Sequence, residues 1–163
     1  MHTCGKALAG AGAFVCGSEL LKQTLLNRAR TQIFSTAQPP YLAGQIRAAL
    51  RLAIPMDAER ERLLETSRNF AAALRAAGWN TAGSASQIVP VIIGDNEAAL
   101  AAAAHLNEAG FAVRAIRPPS VPEGQARLRL SLTTEISDDS LGKLCAALEQ
   151  WSARNQPRAA AVA

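Results

Sequence analysis

From Arg127 to Leu132 polar and apolar residues alternate without a break, Arg-Leu-Arg-Leu-Ser-Leu. A period of two belongs to a β-strand, so Leu128, Leu130 and Leu132 are expected to face a core while Arg127, Arg129 and Ser131 face the other way. The flanking residues read as helices and further short strands. The whole therefore points to an α/β chain with an α+β small domain, in which helices pack on one face of a small, mostly antiparallel sheet.

The other elements follow from periodicity and punctuation. Small apolar residues from Gly12 to Cys16 predict a buried strand, after which Ser18 caps a helix carrying Leu21, Leu25 and Leu26. Leu42, Ile46, Leu50 and Ala53 recur at helical spacing between Pro40 and Pro55. Asp57 opens a long amphipathic helix with the stripe Leu63, Leu64, Phe70 and Leu74, and Gly78 stops it. A β-branched strand is expected over 87–93. An Ala-rich helix capped at Asp95 and ended by Gly110 follows it, then a short strand over 111–116. Pro118, Pro119, Pro122 and Gly124 make a stiff loop. Ser137 then caps a last helix whose Leu141, Leu144, Cys145 and Leu148 share one face, with fraying expected beyond Trp151.

Composition narrows the function more by exclusion than by indication. At 163 residues and 49% apolar the chain has ordinary globular character, and its formal charge of +4 is dispersed rather than gathered in a basic run with aromatics. Small anionic ligands are expected before nucleic acid. Cys4, Cys16 and Cys145 are odd in number and lack metal-ligand spacing, which fits a reducing cytoplasm without a disulfide framework or zinc site. Lys6 followed by the apolar stretch Ala7 to Val15 imitates a secretory signal, but Gly10 and Gly12 interrupt it and no small-residue cleavage site follows. No apolar run approaches the roughly 20 residues a membrane helix needs.

Chemistry is concentrated in three blocks. In Thr3-Cys4-Gly5-Lys6-Ala7 a lysine lies among small residues. Desolvation at such a place favours the neutral, nucleophilic amine that condenses with an aldehyde, although a lysine in a glycine loop is by itself most often a solvated surface group. The second block, Ile33-Phe34-Ser35-Thr36-Ala37-Gln38-Pro39-Pro40, sets two hydroxyls before a double proline. Its plainer reading is a turn with capping hydroxyls. The third runs ungapped from Ala115 through Arg117-Pro118-Pro119-Ser120 to Arg127-Leu128-Arg129-Leu130. An arginine pair on an edge strand is its plainer reading.

Taken in order, the three blocks resemble the pyridoxal 5'-phosphate (PLP)-dependent 2-oxoamine synthases, which have the type I PLP fold. The resemblance runs from about Thr3 to Trp151 and covers the family's C-terminal portion. It implies that Lys6 bonds to the cofactor aldehyde and later carries the substrate α-proton, and that Thr3 binds the cofactor phosphate. Ser35 and Thr36 would reach the partner's phosphate across a homodimer. Arg129 would hold the amino-acid carboxylate, and Ser120 would sit near the substrate. Ala9 stands where the family usually has glycine, Cys4 where it has leucine or phenylalanine, and Ser120 where threonine is commoner.

Arg117 before the prolines favours the biotin-pathway branch, which condenses L-alanine with a pimeloyl thioester, carried by CoA or acyl-carrier protein, to 8-amino-7-oxononanoate. Relatives of the 2-amino-3-ketobutyrate or aminolevulinate type, and a non-catalytic dimerisation module, are the alternatives. The implied organisation is 1–55 as the end of the PLP-binding large domain, 56–153 as a small α/β domain and 154–163 as a disordered tail. The family's pyridinium-binding aspartate and ring-stacking histidine map to no position here. The chain is therefore expected to be a fragment, incomplete and inactive alone.

Overall fold

The computed structural model describes residues 1–155. It resolves into two compact units, Met1–Asp57 and the described chain from Ala58 to Asn155.

The first unit begins with a hairpin in which β1 (His2–Thr3) pairs antiparallel with β2 (Ala13–Phe14), matching His2 to Phe14 and Thr3 to Ala13. Three helices follow: α1 (Glu19–Arg28), α2 (Arg30–Ile33) and α3 (Pro40–Ala53). Ser18 caps α1 as its spacing predicted, its hydroxyl accepting the Leu21 N–H at 3.2 Å. The buried strand expected over 12–16 is corrected. Only two residues are in strand conformation, Ala13 and Cys16 are exposed, and a two-stranded hairpin offers no second layer to cover them. Cys4 is the one buried residue of this unit, whereas Leu20, Phe34, Tyr41 and Leu52 are each more than 70% exposed.

The second unit holds the core. Its elements are α4 (Asp57–Ala76), β3 (Ile88–Gly94), α5 (Asn96–Glu108), β4 (Arg114–Ile116), β5 (Ala126–Ser131) and α6 (Asp138–Asn155). β5 lies in the middle of a three-stranded sheet ordered β3-β5-β4 and is antiparallel to both neighbours. Thus β3 and β4 run the same way, and α5 crosses over between them. Val89 pairs with Leu130 and Val91 with Leu128, so one sheet face is apolar; it joins Phe70 and Leu74 of α4, Leu106 of α5, and Leu144, Leu148 and Trp151 of α6 in one cluster. All three helices therefore cover that single face, as the alternation over 127–132 required.

Helix ends are where local chemistry shows most plainly. α4 stops at Gly78 and α5 at Gly110, both with φ of +89°, a left-handed conformation that costs glycine little. In each case the next residue, Trp79 or Phe111, returns a backbone N–H to the helix, to Leu74 O and Leu106 O. Leu64, expected in the α4 stripe, is instead 37% exposed; buried Ser67 and Ala71 continue the stripe, with the Ser67 hydroxyl donating to Ser86 O. α6 does not fray at Trp151. That indole is buried, and Asn155 donates from its side chain to the Trp151 carbonyl at 2.9 Å, so the helix reaches Asn155. Residues 156–163, most of the expected tail, lie outside the described residues. Among the described residues no helix is long and apolar enough to cross a membrane.

Candidate active site

Lys6 stands at the tip of the first hairpin. The loop beneath it is closed by backbone bonds, Cys4 N–H to Gly12 O, Gly10 N–H to Cys4 O and Ala9 N–H to Lys6 O, each 2.9 Å. The loop lies against α3: a Cβ at Gly10 would reach the Cys4 Cβ and Ile46 Cγ1 at 3.7 Å, and one at Gly5 would reach Gly10 O at 3.6 Å, ordinary contact distances that leave room for a methyl group at either position. Ala9 closes the turn with φ of +48°, in the left-handed region. That conformation is the physical reason a glycine suits the position, because a Cβ there costs of order 1 kcal/mol. The loop is held from outside by Gln45 of α3, whose side chain donates to Ala9 O at 2.6 Å.

The amine itself is uncommitted. Lys22 pairs with Glu19 and Lys143 with Asp139, while Lys6 makes no ion pair or side-chain hydrogen bond among the described residues. Thr3, three residues upstream on β1, accepts the Gly5 N–H at 3.4 Å through Oγ1 and keeps its own O–H proton to give. Ser35 and Thr36 follow α2 and are exposed; the Ser35 hydroxyl donates to Thr31 O, and Thr36 has no such commitment. A groove of about 410 Å³ between β2 and α1, lined by Val15, Leu21 and Leu25, contains none of the expected site residues.

In the second unit Ser120 lies in the loop between β4 and β5. Its N–H returns to Arg117 O at 3.0 Å, Gln125 N–H returns to Pro122 O at 3.1 Å, and Gly124 turns with φ of +71°. The two arginines of the alternating strand part company here. Arg127 is tied to its own loop, Nε donating to Gln125 O at 2.9 Å, whereas Arg129 is exposed and its guanidinium has no hydrogen bond or ion pair among the described residues. Register adds a residue that the sequence reading missed: Arg114 of β4 is the direct partner of Arg129. Its presence in a short strand was legible, but which strand it pairs with was not.

Taken unit by unit, the groups of the first suit a phosphorylated aldehyde and those of the second suit a carboxylate. Lys6 supplies an unpaired primary amine, Thr3 and Thr36 supply hydroxyl donors of the kind that bind phosphate, and Arg129 supplies a planar cation suited to carboxylate. Among the described residues no three His, Cys, Asp or Glu side chains gather as a metal site.

The model of the family described as aminotransferase class I and II matches residues 1–148. An 8-amino-7-oxononanoate synthase of Geobacter sulfurreducens is 43% identical over 150 residues, a span of 91% of this chain and 38% of that protein. Among solved structures, the 8-amino-7-oxononanoate synthase of Francisella tularensis superposes with a TM-score of 0.78 at 27% identity, covering 93% of this chain and 44% of that one. A serine palmitoyltransferase with PLP as its internal aldimine superposes with a TM-score of 0.84 at 25% identity, covering 93% and 39%. The fold is thus that of the type I PLP-dependent transferases, and the chain spans about two fifths of the length of these relatives. With the family match running through the lysine hairpin, the crossover helix and the arginine strand alike, this chain belongs to the aminotransferase class I and II family.

Proposed function

We propose that the chain is the lysine-bearing part of a PLP-dependent C-acyltransferase of the 2-oxoamine synthase type, joining L-alanine to a pimeloyl thioester with loss of carbon dioxide. The observation that carries this reading is the state of Lys6: among three lysines it alone has no carboxylate partner, and a hydrogen-bonded loop presents it. Similarity to 8-amino-7-oxononanoate synthases over 91% of the chain supports the choice of substrates.

Bound PLP supplies an electron sink for the carbanion that forms at the amino-acid α-carbon. The chain's own residues do the rest. Lys6 would hold the cofactor through its Nζ, and its amine would take the substrate α-proton. Thr3 would donate a hydrogen bond from its hydroxyl to the cofactor phosphate. Ser35 and Thr36 would do the same for the partner subunit's phosphate in a homodimer. Arg129 orients the carboxylate, and Ser120 borders the substrate from the neighbouring loop. The three free thiols, Cys4, Cys16 and Cys145, support a reducing cytoplasmic setting.

The structural likeness to serine palmitoyltransferase favours a second reading, serine with a longer acyl thioester, on the same residues. Borohydride reduction of the chain with PLP, followed by peptide mapping, tests the shared core of both. Label on the Lys6 peptide is expected, and label only on Lys22 or Lys143 would refute the assignment. Protection of the Lys6 label by L-alanine rather than L-serine separates the two substrates.

A further inference from the structure

The helix-free face of the sheet carries a juxtaposition that the single-arginine reading does not use. Arg114 of β4 and Arg129 of β5 are direct cross-strand partners, so both side chains leave the same face from neighbouring positions. Like charges placed directly opposite each other oppose strand pairing. Neither guanidinium has a hydrogen bond or ion pair among the described residues, whereas Arg127, two positions along, is satisfied by Gln125. The other strand positions on that face include half-buried Pro90, Ile92 and Ile116, and none is acidic.

We propose that Arg114 and Arg129 together seat one carboxylate, that of the amino-acid substrate, so that Arg114 is a second recognition residue beside Arg129. This inference rests on the reading of Arg129 as the carboxylate ligand. A carboxylate has two oxygens and about four lone-pair sites, enough for two guanidiniums. Its charge also removes the repulsion that the bare pair imposes on β4 and β5. The half-buried apolar residues of that face provide surface for the arginine stems.

The test follows arginine Nε–Hε NMR signals of the full chain as acetate replaces chloride at constant ionic strength. The Arg114 and Arg129 signals are expected to shift along one binding curve while that of exposed Arg68 stays still. Arg114→Gln should weaken the acetate response of Arg129 roughly tenfold. An unchanged Arg129 curve in Arg114→Gln would overturn the shared seat and leave the Arg129 reading standing; a motionless Arg129 signal in the parent chain would overturn both. Urea unfolding at low salt distinguishes a structural arginine: Arg114→Gln is expected to unfold at the parent's midpoint or above it. A clearly lower midpoint would show that Arg114 holds the sheet together and would overturn the proposal.

Discussion

Gln45 on α3 donates a 2.6 Å hydrogen bond to the carbonyl of Ala9, the left-handed residue that closes the Lys6 loop, across 36 residues of chain. The Lys6 loop is thus tied to a helix that contributes nothing to the loop's own sequence.

Ala9→Gly is expected to relieve the strain at φ +48° and to stabilise the loop by a few tenths to about 1 kcal/mol, the gain being limited by the greater entropy of glycine in the unfolded chain. Gln45→Ala should act in the opposite direction by about 1 kcal/mol. Amide exchange at Cys4 and Gly10, whose N–H groups close the loop, reads both. Equal exchange in all three proteins would refute the coupling.

Core and site should separate cleanly on stability. Leu128 is fully buried on the apolar face of β5, and Leu128→Ala should cost roughly 2–5 kcal/mol in urea unfolding. Arg129→Ala, one position along and exposed, should change stability by less than about 0.5 kcal/mol. A loss at Arg129 as large as that at Leu128 would mean that the guanidinium supports the fold rather than a ligand.

The Cys145 thiol has a pKa raised above its ordinary value of 9.0, first by burial and then by the neighbouring Glu149 carboxylate. The native chain therefore holds this proton more tightly than the unfolded chain does. The corresponding stability is fully present below about pH 9 and is lost as pH rises from there through the raised value. In Cys145→Ala the decline between those limits should be shallower than in the parent, as denaturant midpoints measured from pH 8 upward will show. Alkylation at pH 8 should modify exposed Cys16 first and leave Cys4 and Cys145 slow.

Asp95 accepts the Ala98 N–H at 2.8 Å and caps the helix that crosses between β3 and β4. Asp95→Ala should destabilise the second unit by about 1 kcal/mol, and Asp95→Asn by much less, because the amide oxygen can accept the same bond. Thermal unfolding by circular dichroism checks the order; an equal loss in both variants would point to charge instead of capping.

Short-range physics made much of the fold legible. Alternation over 127–132 placed Leu128, Leu130 and Leu132 in the core, and the caps Ser18, Asp95 and Ser137 and the stops Gly78 and Gly110 marked helix ends, because each depends on a few adjacent residues. Lys6, Ser120 and Arg129 were singled out by motif, and what each side chain is free to do was not. That Arg127 is spent on Gln125 while Arg129 is unpaired, and that Arg114 stands opposite Arg129, follows from strand register. Register is a long-range choice made by the apolar faces of β3, β4 and β5 as they find a common core. The strain at Ala9 and the burial of Cys4 are decided in the same way. The sequence shows an alanine and a cysteine, and only the closing of the loop, tied to α3 through Gln45, turns the first into a left-handed residue and buries the second.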